Sequence, residues 1–308
     1  QPPYPGYANN TITNQGTLII ENATIENKTS KGGASYVIDN YAGANLTINE
    51  GAVLTQSGGD IAIRMFNGGS GAINVTINGG EISGYRAVWI QLASNAPAVA
   101  PIMNLTINNP ALDSDGYAYA GLFGITEGEA GKENVITNLT IENVTINTTG
   151  AIAAAAIAYP YYTTLENITV CGDIAIKGGD YTSGALAYTR RCVDAKNITV
   201  SGNDGSYITG ANTVGGVISD IQTNGGIVAN YSNFSVSGVT ITGAKKVGGI
   251  SGIICNQTLN GATVKNVVLV SSDAHVGIVA GADGGNYVLN DATYSNVTGA
   301  TELVGASY

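Results

Sequence analysis

One histidine, one tryptophan, three cysteines and twelve basic residues leave this 308-residue chain poor in the side chains from which catalytic sites and nucleic-acid interfaces are built. Twelve scattered Lys and Arg against 22 Asp and Glu give a net charge of −10, which excludes the clustered bases that phosphates require. No run of about eighteen apolar residues exists, so no membrane-spanning helix is expected. Cys171, Cys192 and Cys255 are odd in number and lack metal-site spacing. Cys171 and Cys192 lie near enough in sequence to bridge neighbouring repeats, although they fall at different places within the repeat; the other reading is small buried thiols. No cofactor is expected.

What is present is repetition. Asn45-Leu46-Thr47-Ile48 recurs as NVTI at Asn74, NLTI at Asn104 and Asn138, NITV at Asn167 and Asn197, and NFSV at Asn233. Looser copies begin at Asn266 and Asn296, and successive spacings are 29, 30, 34, 29, 30, 36, 33 and 30 residues. A fixed period of this length is the signature of a solenoid. Within each copy polar and apolar residues alternate, the period of a half-buried strand. Leu46, Val75, Leu105, Leu139, Ile168, Ile198 and Phe234 are expected to form one inward column, and Ile48, Ile77, Ile107, Ile141, Val170, Val200 and Val236 a second. With 43 glycines, 44% hydrophobic and 11% charged residues, the composition suits many short strands joined by tight turns.

Residues 1–9 (QPPYPGYAN) read as an extended Pro/Tyr-rich arm, and 10–308 as one solenoid domain. Gln1 fits a residue left by signal-peptide removal, or an arbitrary boundary. Each repeat shows an apolar strand of small residues (AVWIQL at 87, GALAYT at 184, VGGVIS at 214), then the Asn-x-Thr strand, then a third strand after a tight turn. Three strands per repeat describe an all-β, single-stranded parallel β-helix of about nine or ten coils. The run GAIAAAAIAYP at 150–160 has helical propensity but occupies the first-strand slot, so it is read as strand. The pairs Gly215-Gly216 and Gly248-Gly249 lack a following GKS or GKT and are read as corner or close-packing glycines rather than a phosphate loop.

The late repeats, VGGVISDIQTNGG, VGGISGIICNQTLNGATVKNVVLVSS and VGIVAGADGG, resemble GLUG-type repeats and the wider class of right-handed, pectin-lyase-like parallel β-helices found in bacterial surface adhesins. That resemblance implies a secreted or cell-surface protein, commonly an adhesion or stalk module. The same fold class includes pectate lyases and polygalacturonases, so catalysis is tested by residues. The arginines are Arg64, Arg86, Arg190 and Arg191, with no carboxylate cluster at matching repeat positions, and neither an adjacent Asp pair nor Gly-His-Gly is present. His275 in DAHVG is read as a corner residue. Asp113 and Asp115 open a calcium-loop-like DSDG, but the later ligands are missing, which favours a solvated turn. Asp39 and Arg64, at similar depth in successive first strands, are expected to form an exposed pair of little energetic weight.

Fifteen Asn-x-Ser/Thr sequons are glycosylation candidates: Asn9, Asn22, Asn27, Asn45, Asn74, Asn104, Asn138, Asn143, Asn147, Asn167, Asn197, Asn230, Asn233, Asn256 and Asn296. Strands about 4.8 Å apart leave little room for a glycan on every coil, so the preferred reading is exposed Asn and Thr hydrogen-bonding ladders. A third reading takes Thr47, Thr76, Thr106, Thr140, Thr169 and Thr199 as a flat ligand- or ice-binding face. No amphipathic capping helix is visible at either end. The expected function is therefore a non-catalytic extracellular structural or adhesive protein, N-glycosylated on its outer face. Its expected partners are itself, head to tail with contacts from Tyr4, Tyr7 and Tyr308, or a cell-surface carbohydrate receptor; no nucleic acid is expected. The alternative is a carbohydrate-binding or polysaccharide-degrading β-helix enzyme.

Overall fold

The structure, a computed structural model, describes residues 9–29, 35–58, 61–67, 73–84, 86–92, 102–108, 111–113, 119–131, 133–148, 152–189, 191–222 and 229–308. Among them there is no helix, and every strand pairing is parallel, in a β-solenoid with three-strand coils. The first face runs from Ile12–Asn14 and Tyr36–Tyr41 through Ile61–Asn67 and Arg86–Leu92 to Ser251–Ile254 and Ala280–Asp283. The second carries the Asn-x-Thr strands, from Thr17–Ile20 and Asn45–Ile48 to the first half of Val288–Thr298. The third begins at Thr24–Asn27 and Val53–Gln56.

Alternation does the sorting. Leu46, Val75, Leu139, Ile168, Ile198 and Phe234, and Ile48, Ile77, Ile141, Val170, Val200 and Val236, are all at most 1% exposed. The side chains of Leu105 and Ile107 lie outside the described residues. Each buried aliphatic side chain contributes about 1.5–3 kcal/mol, and stacking makes the column continuous. Between them Thr47, Thr76, Thr140, Thr169 and Thr199 are half-buried, and Ser235, next in the column, donates its Oγ–H to Thr199 Oγ1 at 2.9 Å.

Register corrects the repeat alignment at its end. Ser232 pairs with Asn260 and Phe234 with Ala262, so the position after Asn233 in its column is Gly261, followed by Asp291. Asn266 and Asn296 instead stand at the next corner, above Gly238. Both corners demand positive φ: Asn233 at 57°, Gly261 at 79° and Asp291 at 52° in one, Gly238 at 67°, Asn266 at 53° and Asn296 at 51° in the other. Asn, Asp and Gly are the residues that adopt this region readily, so the two corners look alike in sequence.

From residue 119 onward the apolar first strand is bent in two, which the sequence pattern does not show. Tyr119–Ala120, Ile152–Ala154, Tyr181–Ser183, Thr213–Gly215, Lys246–Gly248 and Val276–Gly277 form a separate six-stranded sheet before the bend. The Ala-rich run is strand on both sides of it: Ile152–Ala154, a bend at 155–156, then Ile157–Lys177. The glycine pairs sit at this bend. A Cβ on Gly216 would run into the Gly249 carbonyl and approach Val236 Cγ2 to 2.8 Å; one on Gly249 would run into the Ile278 carbonyl.

At the far end the chain returns to cover the first face, where Val304 pairs with Ala280 and Ser307 with Asp283. His275 stands at the adjoining corner. Its Nδ1 lies 2.6 Å from Asp273 Oδ1 and its Nε2 3.3 Å from the Ser307 carbonyl. The bond to His275 holds the Asp273 carboxyl below its ordinary range.

Gly216→Ala should therefore lower unfolding free energy by about 1–3 kcal/mol through overpacking. Gly16→Ala, with nothing within 4 Å of the added Cβ, should change it by less than about 0.5 kcal/mol. Urea denaturation of the two variants checks the contrast, and equal effects would refute the close-packing role.

Candidate functional site

Outside the core, aromatic side chains gather on the first face and the small sheet beside it. At its N-terminal part Asp39, Arg64 and Trp89 share one register column. Arg64 Nε donates to Asp39 Oδ1 at 2.8 Å and Nη2 to Oδ2 at 2.5 Å, while Asn10 Nδ2 adds a bond of 2.9 Å to Oδ2. The guanidinium carbon lies 4.5 Å from the ring centroids of both Tyr36 and Phe66. The pair is thus formed, but it is not exposed: the side chains are 1% and 16% accessible for Asp39 and Arg64. Burial works to lower the Arg64 pKa, and the bond to Asp39 with its charge outweighs it, leaving the group raised. A buried pair contributes little net stability, yet it is costly to break.

Further along, six tyrosines from three successive coils meet. Tyr159 stacks on Tyr119 at 5.8 Å with 15° between planes and meets Tyr188 edge-on at 5.2 Å. Tyr161 lies 5.9 Å from Tyr159 and 5.2 Å from Tyr162, and Tyr181 lies 4.9 Å from Tyr188. All six are half-buried. Their floor is made of small side chains: Ala154, Ala158 and Ala187 with Ile152 form a buried cluster against which Tyr119, Tyr181 and Tyr188 pack. The concave bend between the two sheets thus supplies a shelf on which rings lie.

Tyr162 has φ of 44°. Among the described residues it is the one member of the positive-φ set, glycine aside, that is neither Asn nor Asp. A bulky residue there is strained by roughly 1–2 kcal/mol. The register shifts at this point, between Tyr161 and Thr163, and such bulges re-aim side chains. The sequence pattern does not mark these tyrosines as one group, because among the six only Tyr159 and Tyr188, 29 residues apart, keep the spacing of the repeat.

The Asn column forms a ladder of side-chain amides. Asn167 Nδ2 donates to Asn138 Oδ1 at 3.1 Å, Asn197 to Asn167 at 3.0 Å and Asn233 to Asn197 at 2.9 Å. Asn296 donates likewise to Asn266 at 2.9 Å. Elsewhere Asn230 Nδ2 is held by Asp194 at 2.7 Å, Asn27 Nδ2 is buried against the Tyr36 carbonyl at 2.9 Å, and Asn143 Oδ1 accepts the Asp173 amide at 2.8 Å. Asn9, Asn22, Asn147 and Asn256 are exposed and stand outside the ladder. Asn45 lies at a strand start, and the side chains of Asn74 and Asn104 are outside the described residues.

The remaining candidates do not converge on these sites. The Asp113 side chain, Asp115, Tyr4 and Tyr7 lie outside the described residues, and among those described no group of three His, Cys, Asp or Glu could hold a metal. Tyr308 packs on its own chain, with Lys246 Nζ 3.0 Å from its ring centroid. No disulfide joins Cys171, Cys192 and Cys255. Cys192 aligns with Thr163, and Cys171 with Glu142 and Ser201, so the two stand in different columns. An open groove of about 850 Å³ lies between the loop Asn203-Asp204-Gly205 and the corner at Gly238; its one carboxylate is Asp204. No protein-family model, curated protein or solved structure matches the chain.

Two outcomes follow from this geometry. Arg64→Ala should cost about 3–5 kcal/mol by stranding the Asp39 carboxylate, and the double change Asp39→Leu with Arg64→Met should recover most of that loss in thermal unfolding. Expressed through a glycosylating secretory route, the protein should carry glycans at Asn22, Asn147 or Asn256 and none at Asn167, Asn197 or Asn233, whose Nδ2 atoms hold the ladder. Site-occupancy mass spectrometry decides; high occupancy at Asn197 would show that the ladder yields to modification.

Proposed function

We propose that this chain is a non-catalytic, secreted or cell-surface solenoid of structural and adhesive function, akin to β-helix adhesins, whose copies stack end to end. The observation that carries it is the state of the core at the two ends of the coil stack. Ile12, Leu18 and Ile25 at one end and Leu289, Ala292 and Val297 at the other belong to the core columns, yet each is only partly buried. At the second end Val288 and Tyr294 are 48% and 54% exposed, and among the described residues Val288–Thr298 pairs on one side only. An uncovered edge of that length is a template for a further strand. The two ends differ, so contact between copies is heterologous and propagates as a fibre.

Side surfaces support the same reading. Asn167, Ser235 and Thr263 are among the Asn, Ser and Thr side chains bonded between neighbouring coils, an arrangement that favours a rod over a reaction centre. The carbohydrate-binding alternative gains from the tyrosine shelf. Its catalytic form does not gain from the Asp204 groove, since glycoside hydrolysis generally employs two carboxylates.

Light scattering over a concentration series, with negative-stain microscopy of the same samples, tests the assembly. Growth of rods by whole-chain lengths is expected, and Val288→Asp with Tyr294→Lys should abolish it while changing monomer stability by only about 0.5 kcal/mol, because both sites are exposed. Single rods at every concentration would overturn end stacking and leave a further segment of a longer chain as the cover for that end.

A further inference from the structure

We infer that the six-tyrosine shelf is a binding site for a neutral oligosaccharide, lying along the solenoid axis. The inference deepens the adhesive reading and rests on it for the view that the sides of the rod, rather than its ends, meet a foreign surface.

The chemistry of the shelf selects the ligand. Tyrosine presents a flat apolar ring with a hydroxyl at its rim, so a surface of six rings offers stacking area and hydrogen bonds at little conformational cost. A pyranose has the complementary character, with C–H faces above and below and hydroxyls around the edge. The rings are contributed by three consecutive coils, Tyr119 from the first, Tyr159, Tyr161 and Tyr162 from the second, Tyr181 and Tyr188 from the third. At about 4.8 Å per coil the shelf extends roughly 10–15 Å along the axis, suited to a linear ligand.

A second observation is independent of ring count. Tyr162 is held at φ 44° by a register shift that brings its ring to 5.2 Å from Tyr161. Strained backbone at a bulky residue persists where the surroundings over-determine it, and such residues cluster at ligand sites. The core does not need this ring, which packs outside it.

Charge narrows the class. A chain of net charge −10 disfavours long polyanions such as nucleic acid, although bases also stack on aromatic rings, and the register column of Tyr161 carries one residue of each sign, Glu127 and Arg191, which matches a neutral ligand better than an acidic one.

The test is isothermal titration of the full chain with cellohexaose, mannohexaose and maltohexaose, with hexagalacturonate as the acidic counterpart. Saturable binding of at least one neutral hexasaccharide is expected, stronger than that of hexagalacturonate. Tyr159→Ala and Tyr188→Ala should each weaken it by about tenfold or more, whereas Tyr188→Phe, which keeps the ring, and Tyr207→Ala, an exposed tyrosine on the third face, should leave it within about threefold. Circular dichroism and the melting midpoint verify that each variant folds. Absence of neutral binding in the millimolar range, preference for the acidic oligomer, or binding unchanged in the Tyr159→Ala/Tyr188→Ala double variant would each overturn the inference. Rod growth is read separately by microscopy, so failure of the shelf and failure of end stacking are distinguishable.

Discussion

From Asn138 onward the structure depends on one constraint, that the chain must turn at the same point of each coil with a residue at positive φ. Asparagine meets it twice over. Its backbone tolerates the left-handed region, and its amide has a donor and an acceptor that can join the coil below to the coil above. Asn138, Asn167, Asn197 and Asn233 do both, with Nδ2–Oδ1 distances between 2.9 and 3.1 Å. Where Gly261 takes the same place the turn is kept and the ladder bond is lost. The apolar columns beside the corner stay aligned because the corner fixes register, and a slip of one residue would turn each of them outward.

A different solution operates at the bend between the first face and the small sheet. There neighbouring coils approach so closely that side chains are excluded, and Gly184, Gly216 and Gly249 let one coil's backbone meet the next one's carbonyl. The same demand for small residues runs into Ala154, Ala158 and Ala187 on the outer side of the bend. Those alanines are what leave room for tyrosine rings to lie down. The shelf is thus a by-product of the closest packing in the solenoid, and the aromatic residues outside the core exploit a hollow that the backbone had to make.

The apolar columns were legible in the sequence because one side chain in two is buried and the same type recurs in each coil, as Ile168, Ile198 and Phe234 show. The last two repeats were misaligned for a physical reason: Asn266 and Asn296 satisfy at a second corner the dihedral that Asn233 satisfies at the first, so like demands produced like words. The bend was hidden because VGGVIS alternates no differently across it than a straight strand would. Asp39 and Arg64 were recognisable as a pair, but not their burial, which is set by Tyr36 and Phe66 flanking the guanidinium from positions that carry no charge pattern. The tyrosine shelf needed the coil register, since its members come from three coils and only Tyr159 and Tyr188 stand one repeat apart.

In a solenoid each coil contacts mainly its neighbours, so energetic coupling between distant coils is weak. The shelf occupies the coils between residues 119 and 209, whereas the open edge at Val288–Thr298 is separated from it by further coils. Strain at Tyr162 therefore need not be communicated to either end. A rod built this way can present a ligand surface on its flank and a joining surface at its tip without one compromising the other, which is the physical reason for proposing the two activities together on a chain with so little catalytic chemistry.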